Sequence, residues 1–557
     1  MASLSKSKVL FGFTSPRTIE KSIPEIQILV ENFTGQLWNQ NTQIDFFELL
    51  FSSEHYNGDK MPTNVPLAAR DRITRSPKSL GFVNLKPLIE LTKAGEALLK
   101  GKRIHEVFTR QLLKFQLPSP YHTQSKHIAF NVKPYLELLR FISVLEPVSK
   151  TEIALFFTQI TDFNNFDEII NKVKRFRTNA TKFKGSRKLY VHECFEEEVL
   201  EIYNAEIKKG ETETRESSDT SVQKFIRTKK SNMLDYADAF IRYLRSTTLI
   251  TFQKKTYRLV ISPSKRYDVD FILGNISRLP LKYKNLKDFQ TYLFDDENIQ
   301  LYSDDKLRLK NRLNNLGTLF PKELSIDNLK DLVEKTEKEL LQKVITDTQK
   351  KLKTYKEYDD IIDVYNNIKK KIVPDPPLYL EWNTWRAMTM LNYAKEVKGN
   401  FILDLDGVPL NTAPGNRPDI EIVYENFNLI IEVTMSSGNT QYRMENESVP
   451  RHFGKIKQES NKETYCLFIA PKISDGALAH FFNLNRINTR FYGGKTKIIP
   501  LSLDMFIKFI ETGKNNKFDS PKIFQNFLET IWENNQEIED EIIWQESIYD
   551  RIPTWVS

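Results

Sequence analysis

The chain has 557 residues, 40% hydrophobic and 12% aromatic. It is too long for one ordinary domain and apolar enough for several cores, which excludes a disordered chain. Its two cysteines, Cys194 and Cys466, lie far apart. They exclude a disulfide framework, lack structural-zinc spacing and fit a reducing, cytoplasmic compartment.

The net charge of +8 is unevenly spread: residues 377–557 hold 19 Lys and Arg against 24 Asp and Glu, whereas the rest hold 62 against 49. A basic front suggests a polyanionic partner, and ordinary surface solvation is the plain alternative. The N-terminal "MASLSKSKVLFGFTSPR" has no apolar signal core, and no run of 18 apolar residues occurs. Neither a standard secretion signal nor a membrane span is expected.

Residues 1–135 mix short helices and strands. In "PLAARDRITRSPKSLGFVNLKPLIELTKAGEALL" a basic helical stretch leads to a hairpin, "GFVNL" and "LIELT", and then to a helix at "KAGEALL". Helix, wing and helix form the pattern of winged-helix DNA readers, which places Arg70, Arg72, Arg75 and Lys78 on or beside the reading element. Arginine suits guanine edges and phosphates, although some of these side chains could instead pair with local acids such as Asp71.

Residues 136–285 repeat the theme. "YLELLRFISVLEP" is an amphipathic helix, Ser149 and Glu152 form a capping box, and "DYADAFIRYLRSTTLITFQKKTYRLVI" reads as helix then hairpin. "KKGETETRESSDTSVQKF" is a polar, exposed loop. Residues 286–375 are highly charged, expected as a helical linker that stops at "PDPP". Residues 376–557 are α/β. A helix at "YLEWNTWRAMTMLNYA" precedes strands at "FILDLDG", "PDIEIVYE" and "NLIIEVT". A helix within "ESVPRHFGKIKQESNK", a strand at "TYCLFIAP", a helix at "DGALAHFFNLN" and a strand at "KIIPLSL" follow.

The acids in these strands stand out. Side chains alternate with period two, so Asp419 and Glu421 share one face of the first strand, and Glu432 and Thr434 share one face of the second. If the strands pair, Asp419 and Glu432 converge while the isoleucines pack inward. Like charges at short range are tolerated around a cation, and hard oxygen donors suit Mg2+. Glu381 on the preceding helix and Glu445 in the following acidic cluster could complete the site. The pattern is the Pro-Asp, spacer, acidic-x-Lys of metal-dependent nucleases, with Thr434 where lysine is expected. Glu445, His452 and Lys455 are the groups that could assist in its place. His105, His122, His127 and His192 have no histidine or cysteine ligand partner one helical turn away, Cys466 reads as core, and "GG" at 493–494 reads as a turn.

Several stretches together carry a more specific resemblance: "SPRTIEKSIPE", "AARDRITRSPKSLGF", "LTKAGEAL", "LLKFQLPSPYH", "EWNTWRAM", "GNRPDIEIVYENFNLIIEVT", "TQYRMENESVPRH" and "YCLFIAPKI". The sequence resembles the AlwI-type Type IIS restriction endonucleases, in the branch of MlyI, PleI and the BstNBI-like nicking enzymes. The resemblance implies a bacterial, multidomain α+β protein. Winged-helix-like recognition subdomains at 1–135 and 136–285, a helical linker at 286–375 and a PD-(D/E)xK cleavage domain at 376–557 would bind a short asymmetric duplex site, GAGTC in this branch. Cleavage would fall a few base pairs to one side with Mg2+ held by Asp419 and Glu432, the catalytic carboxylates being Glu381, Asp419, Glu432 and Glu445. The branch also implies Val-Thr after the glutamate, one strand cut per nuclease domain, a transient homodimer or small nuclease subunit for the second strand, and a companion DNA methyltransferase. The rival reading is a sequence-specific DNA-binding protein with an inactive nuclease-like domain.

Overall fold

The computed structural model describes residues 2–3, 7–53, 55–56, 60–123, 130–413 and 415–556; His127 lies outside them. The chain divides into two compact units, Met1–Glu337 and Lys338–Ser557. The division falls within the helix Ile326–Leu352.

The first unit is mainly helical, with short two-stranded ribbons. Asn64 caps the helix Val65–Ile73 by accepting from the Leu67 N–H at 3.0 Å. The short helix Ser76–Ser79 follows, then the antiparallel pair Val83–Asn84 and Glu90–Leu91, then the helix Lys93–Leu99 capped by Thr92. Farther on, Ser149 and Glu152 form the expected capping box. The helix Val222–Arg245 leads into the antiparallel pair Ile250–Phe252 and Leu259–Ile261.

An aromatic core ties the N-terminal segment to the later helices. Phe13 meets Phe115 and Tyr243 at ring separations of 5.0 and 5.6 Å, and Phe240 meets Tyr135 and Phe157 at 5.3 and 5.2 Å. Gly12 is obligatory here. A Cβ on it would sit 2.7 Å from the Tyr236 carbonyl oxygen and 2.8 Å from the Ala239 Cβ. The charged segment expected as a linker is not one unbroken helix after "SIDNLKD". The helix Ile326–Leu352 stops, Tyr355 takes a left-handed φ of 59°, and a new helix runs Tyr358–Lys369.

The second unit is built on a five-stranded mixed sheet. Its strands are β1 (Glu396–Gly399), β2 (Ile420–Val423), β3 (Phe427–Val433), β4 (Glu463–Ala470) and β5 (Ile498–Ser502), in the spatial order β5-β4-β3-β2-β1. β1, β2 and β3 pair antiparallel, and β3, β4 and β5 pair parallel. The parallel strands are covered on both faces, which explains their near-continuous apolar runs.

Three sequence expectations change here. "FILDLDG" contributes only Ile402–Leu403, paired with Pro409–Asn411 in a separate ribbon. The main sheet instead ends in "EVKG", a half-exposed edge strand whose polarity hides it from an apolar search. The helix after β3 begins at Gly438, well before "ESVPRHFGKIKQESNK", and runs to Gln458 through Pro450. Proline removes the N–H that would meet the Asn446 carbonyl, and His480 Nε2 donates to that oxygen at 2.8 Å.

Candidate active site

Register creates the site. Ile420 faces Ile431 across β2 and β3, so Asp419 and Glu432 form the next pair outward. The Val433 N–H donates to Asp419 Oδ2 at 2.8 Å. Asn400 fixes the preceding peptide: its N–H meets the Asp419 carbonyl at 2.9 Å, and its side-chain amide meets the Pro418 carbonyl at 2.7 Å and Glu421 Oε1 at 2.8 Å. Glu421 thereby falls to a structural role, with Arg417 3.6 Å away.

The third acid comes from the helix Pro376–Leu391, started by its two prolines. Glu381 is buried and accepts from the Ala413 N–H at 3.0 Å. The fourth, Glu445, lies on the helix Gly438–Gln458, 3.4 Å from Ser448 Oγ and hydrogen-bonded by Thr434. Two turns on, the same helix brings in His452. Its Nδ1 is 2.7 Å from Glu432 Oε1 and its Nε2 is 3.1 Å from the Gly415 carbonyl. A carbonyl oxygen only accepts, so Nε2 carries a hydrogen, and Nδ1 and Glu432 share one proton between them. Burial holds His452 down to about 4.

The electrostatics are those of uncompensated acids. Burial raises all four carboxylates. Glu432 adds to the effect on Asp419, Glu445 and Glu381 add to it on Glu432, and Asp419 adds to it on Glu381. Among the described residues, no lysine or arginine forms an ion pair with any of the four. Buried Glu25, Glu137 and Glu152 pair with Arg72, Arg278 and Arg177, and partly buried Glu337 pairs with Lys265 and Arg312.

Also among the described residues, no three His, Cys, Asp or Glu side chains close into a metal cage. Mg2+ does not require one, since it binds through one or two carboxylates and retains water. A buried, cation-poor set of carboxylate oxygens fits that ion in charge and hardness. Thr434 is buried and its N–H is spent on the Ile469 carbonyl in the sheet. Lys455 Nζ reaches the Asn416 carbonyl at 3.4 Å rather than the acids. Cys466 is fully buried in β4, and Gly493 and Gly494 lie in a turn with positive φ.

In the first unit, Arg70, Arg75 and Lys78 line one groove of about 820 Å3. Arg72 turns away from it to pair with buried Glu25 and stack over the Tyr56 ring at 5.3 Å. Arg75 pairs with Asp71 at 2.7 Å, and Lys78 Nζ lies 4.6 Å over the Tyr121 ring. Burial lowers the Lys78 pKa. Arg70 is exposed. The groove also takes in residues that the sequence reading passed over, among them Arg215, Asn232, Asp235 and Tyr236. Their signal was one polar helical face and a polar loop, neither of which specifies its partner.

The second unit thus carries a cluster of acids without ion pairs at one end of a mixed sheet, and the first unit a groove lined by Arg70, Arg75 and Lys78. The family model described as AlwI restriction endonuclease matches residues 78–509, and the chain belongs to that family. It is thus a restriction endonuclease of the Type II, site-specific deoxyribonuclease class, acting on DNA. Among solved structures, the small subunit of the heterodimeric restriction endonuclease R.BspD6I is similar at 28% identity, over 36% of this chain and 95% of that one, with a TM-score of 0.29. No curated protein matches the sequence. Among the described residues, no helix is long and apolar enough to cross a membrane.

Proposed function

We propose that the protein is a Type IIS endonuclease. In this reading it binds a short asymmetric duplex site, GAGTC, through winged-helix-like elements of the first unit, and hydrolyses phosphodiester bonds a few base pairs away in a PD-(D/E)xK-like second unit. The observation that carries the reading is a set of four acids, Glu381 and Glu432 buried and Asp419 and Glu445 partly so, that among the described residues form no ion pair with arginine or lysine, unlike buried Glu25, Glu137 and Glu152.

Asp419 and Glu432 would hold Mg2+, which when bound supplies Lewis acidity and a water of lowered pKa. Asp419 is pre-oriented by the Val433 N–H, and Glu432 by His452. Glu381 and Glu445 would orient water. Among the described residues, His452 is the one side chain whose nitrogen hydrogen-bonds a site carboxylate, so it is the better candidate than Lys455 for the assisting role left open by Thr434.

One set of acids serves one strand. A single copy therefore nicks, and double-strand cleavage requires a second nuclease domain, from another copy or from a small subunit. A DNA methyltransferase would protect the host's own sites.

The test is supercoiled plasmid carrying GAGTC, incubated with protein and either Mg2+ or EDTA, beside the Asp419→Asn variant. Mg2+-dependent open circles or discrete linear fragments, absent in the variant, are the expected result. Site-specific binding without scission under any divalent cation would favour the inactive, DNA-binding alternative.

A further inference from the structure

We infer that Asn232 and Asp235, on the helix Val222–Arg245, read base edges within the groove that Arg70 also lines. This rests on the reading of the chain as a sequence-specific DNA endonuclease.

Asn232, Asp235 and Tyr236 recur at three and four residues and so share one helical face. All three line the groove that Arg70, Arg75 and Lys78 also line. The helix is held against the N-terminal segment by Arg242 Nε on the Arg17 carbonyl at 2.7 Å and Tyr243 Oη on the Pro16 carbonyl at 3.1 Å. Gly12 seats that segment directly on the helix backbone at Tyr236. The reading face therefore sits on a rigid element.

The charge pattern says what this wall meets. Two of the groove's acids are neutralised: Asp71 by Arg75, and Asp238 by Lys150 at 2.8 Å and by Arg242. Asp235 is exposed and, among the described residues, has no ion pair or hydrogen bond. A bare carboxylate facing a phosphate would only repel it. Facing a base edge, it can accept from the cytosine amino group, and asparagine can bond adenine bidentately. The cations of the groove, Arg70 among them, suit phosphates and guanine. Within the same groove, His122 presents a buried Nδ1 that has no partner among the described residues, consistent with a surface completed by a polar ligand.

The experiment uses the full-length protein. The duplex enriched by wild type from a randomised pool is substituted at each position, and affinities are measured for wild type, Asp235→Ala, Asp235→Asn, Asn232→Ala and Arg70→Ala, with thermal unfolding recorded for each. Asp235→Ala should erase the preference at one C·G position, a loss of about 10- to 100-fold in discrimination. Its binding to unrelated duplex should be unchanged or tighter, because an acid facing a polyanion has gone. Asp235→Asn keeps an acceptor and should retain part of the preference. Asn232→Ala should flatten one A·T position, whereas Arg70→Ala should weaken all sequences alike.

A specific wild type whose profile is unchanged in both Asp235→Ala and Asn232→Ala overturns the inference and leaves the endonuclease reading standing. Uniform weakening of the Asp235→Ala variant, accompanied by a lower melting temperature, also overturns it by showing a structural role. A wild type with no sequence preference overturns the reading and the inference together.

Discussion

Replacing Asp419 by asparagine should abolish cleavage and at the same time stabilise the metal-free protein. Asparagine retains a carbonyl oxygen for the Val433 N–H now bonded by Asp419 Oδ2, so the local hydrogen bond can survive. What goes is one negative charge that raises the pKa of Glu381 and whose own pKa Glu432 and Glu445 raise in turn. Two unit charges a few ångströms apart at an effective dielectric near 20 repel by roughly 3–4 kcal/mol. Asp419 is partly exposed and the acids relieve strain by protonating, so about 1 kcal/mol is the expected net gain. For a unit of this size that corresponds to a rise of about 2–4 °C in melting temperature. The assay is thermal unfolding in EDTA and in Mg2+, with plasmid cleavage measured in parallel. Mg2+ should raise the melting temperature of wild type more than that of the variant, because only the intact acid pair gains by binding it. A variant that melts lower than wild type in EDTA, or one that still cuts, would refute the view of these acids as an uncompensated metal site.

His452→Ala should raise the Mg2+ concentration needed for half-maximal cleavage by about 10- to 100-fold, because it frees the Glu432 carboxylate from its anchor; titration of the metal checks it. Arg72→Ala should destabilise the first unit by roughly 3 kcal/mol, since it strands the buried Glu25 carboxylate. Arg70→Ala should leave stability unchanged and reduce the salt dependence of DNA binding by about one phosphate contact; denaturant unfolding and binding at several salt concentrations separate the two. Gly12→Ala should cost about 1–3 kcal/mol, because its Cβ would meet backbone at 2.7 Å. The pH response has a definite sign. The site carboxylates are raised from 4.5 for glutamate and 3.8 for aspartate, so the stability they contribute is fully present below those values and is lost as pH rises through the raised ones. Metal-free wild type should therefore lose more stability than Asp419→Asn on going from pH 4 to pH 8, and matched unfolding curves across that range check the difference.

The local chemistry was legible in the chain. Alternation in "PDIEIVYE" and "NLIIEVT" placed Asp419 and Glu432 on facing positions, since a strand's period is two and a hairpin's register follows from it. Ser149 and Glu152 announced their capping box because a cap is made within four residues. The polar edge strand "EVKG" and the early start of the helix carrying Glu445 were not legible. An edge strand needs only one apolar face, and Pro450 is tolerated in that helix because a distant histidine takes up the freed carbonyl. Only the tertiary structure decided which charges are spent and which are available. Glu25, 47 residues before Arg72, takes that arginine out of the groove lined by Arg70, Arg75 and Lys78. Among the described residues, no arginine or lysine forms an ion pair with the four site acids, while His452, 20 residues after Glu432, hydrogen-bonds one. Sequence fixes the identity and face of each side chain through short-range geometry. Whether a charge is neutralised depends on neighbours that folding brings from elsewhere in the chain, and that is what separates the ion-paired Glu25 from the site acids.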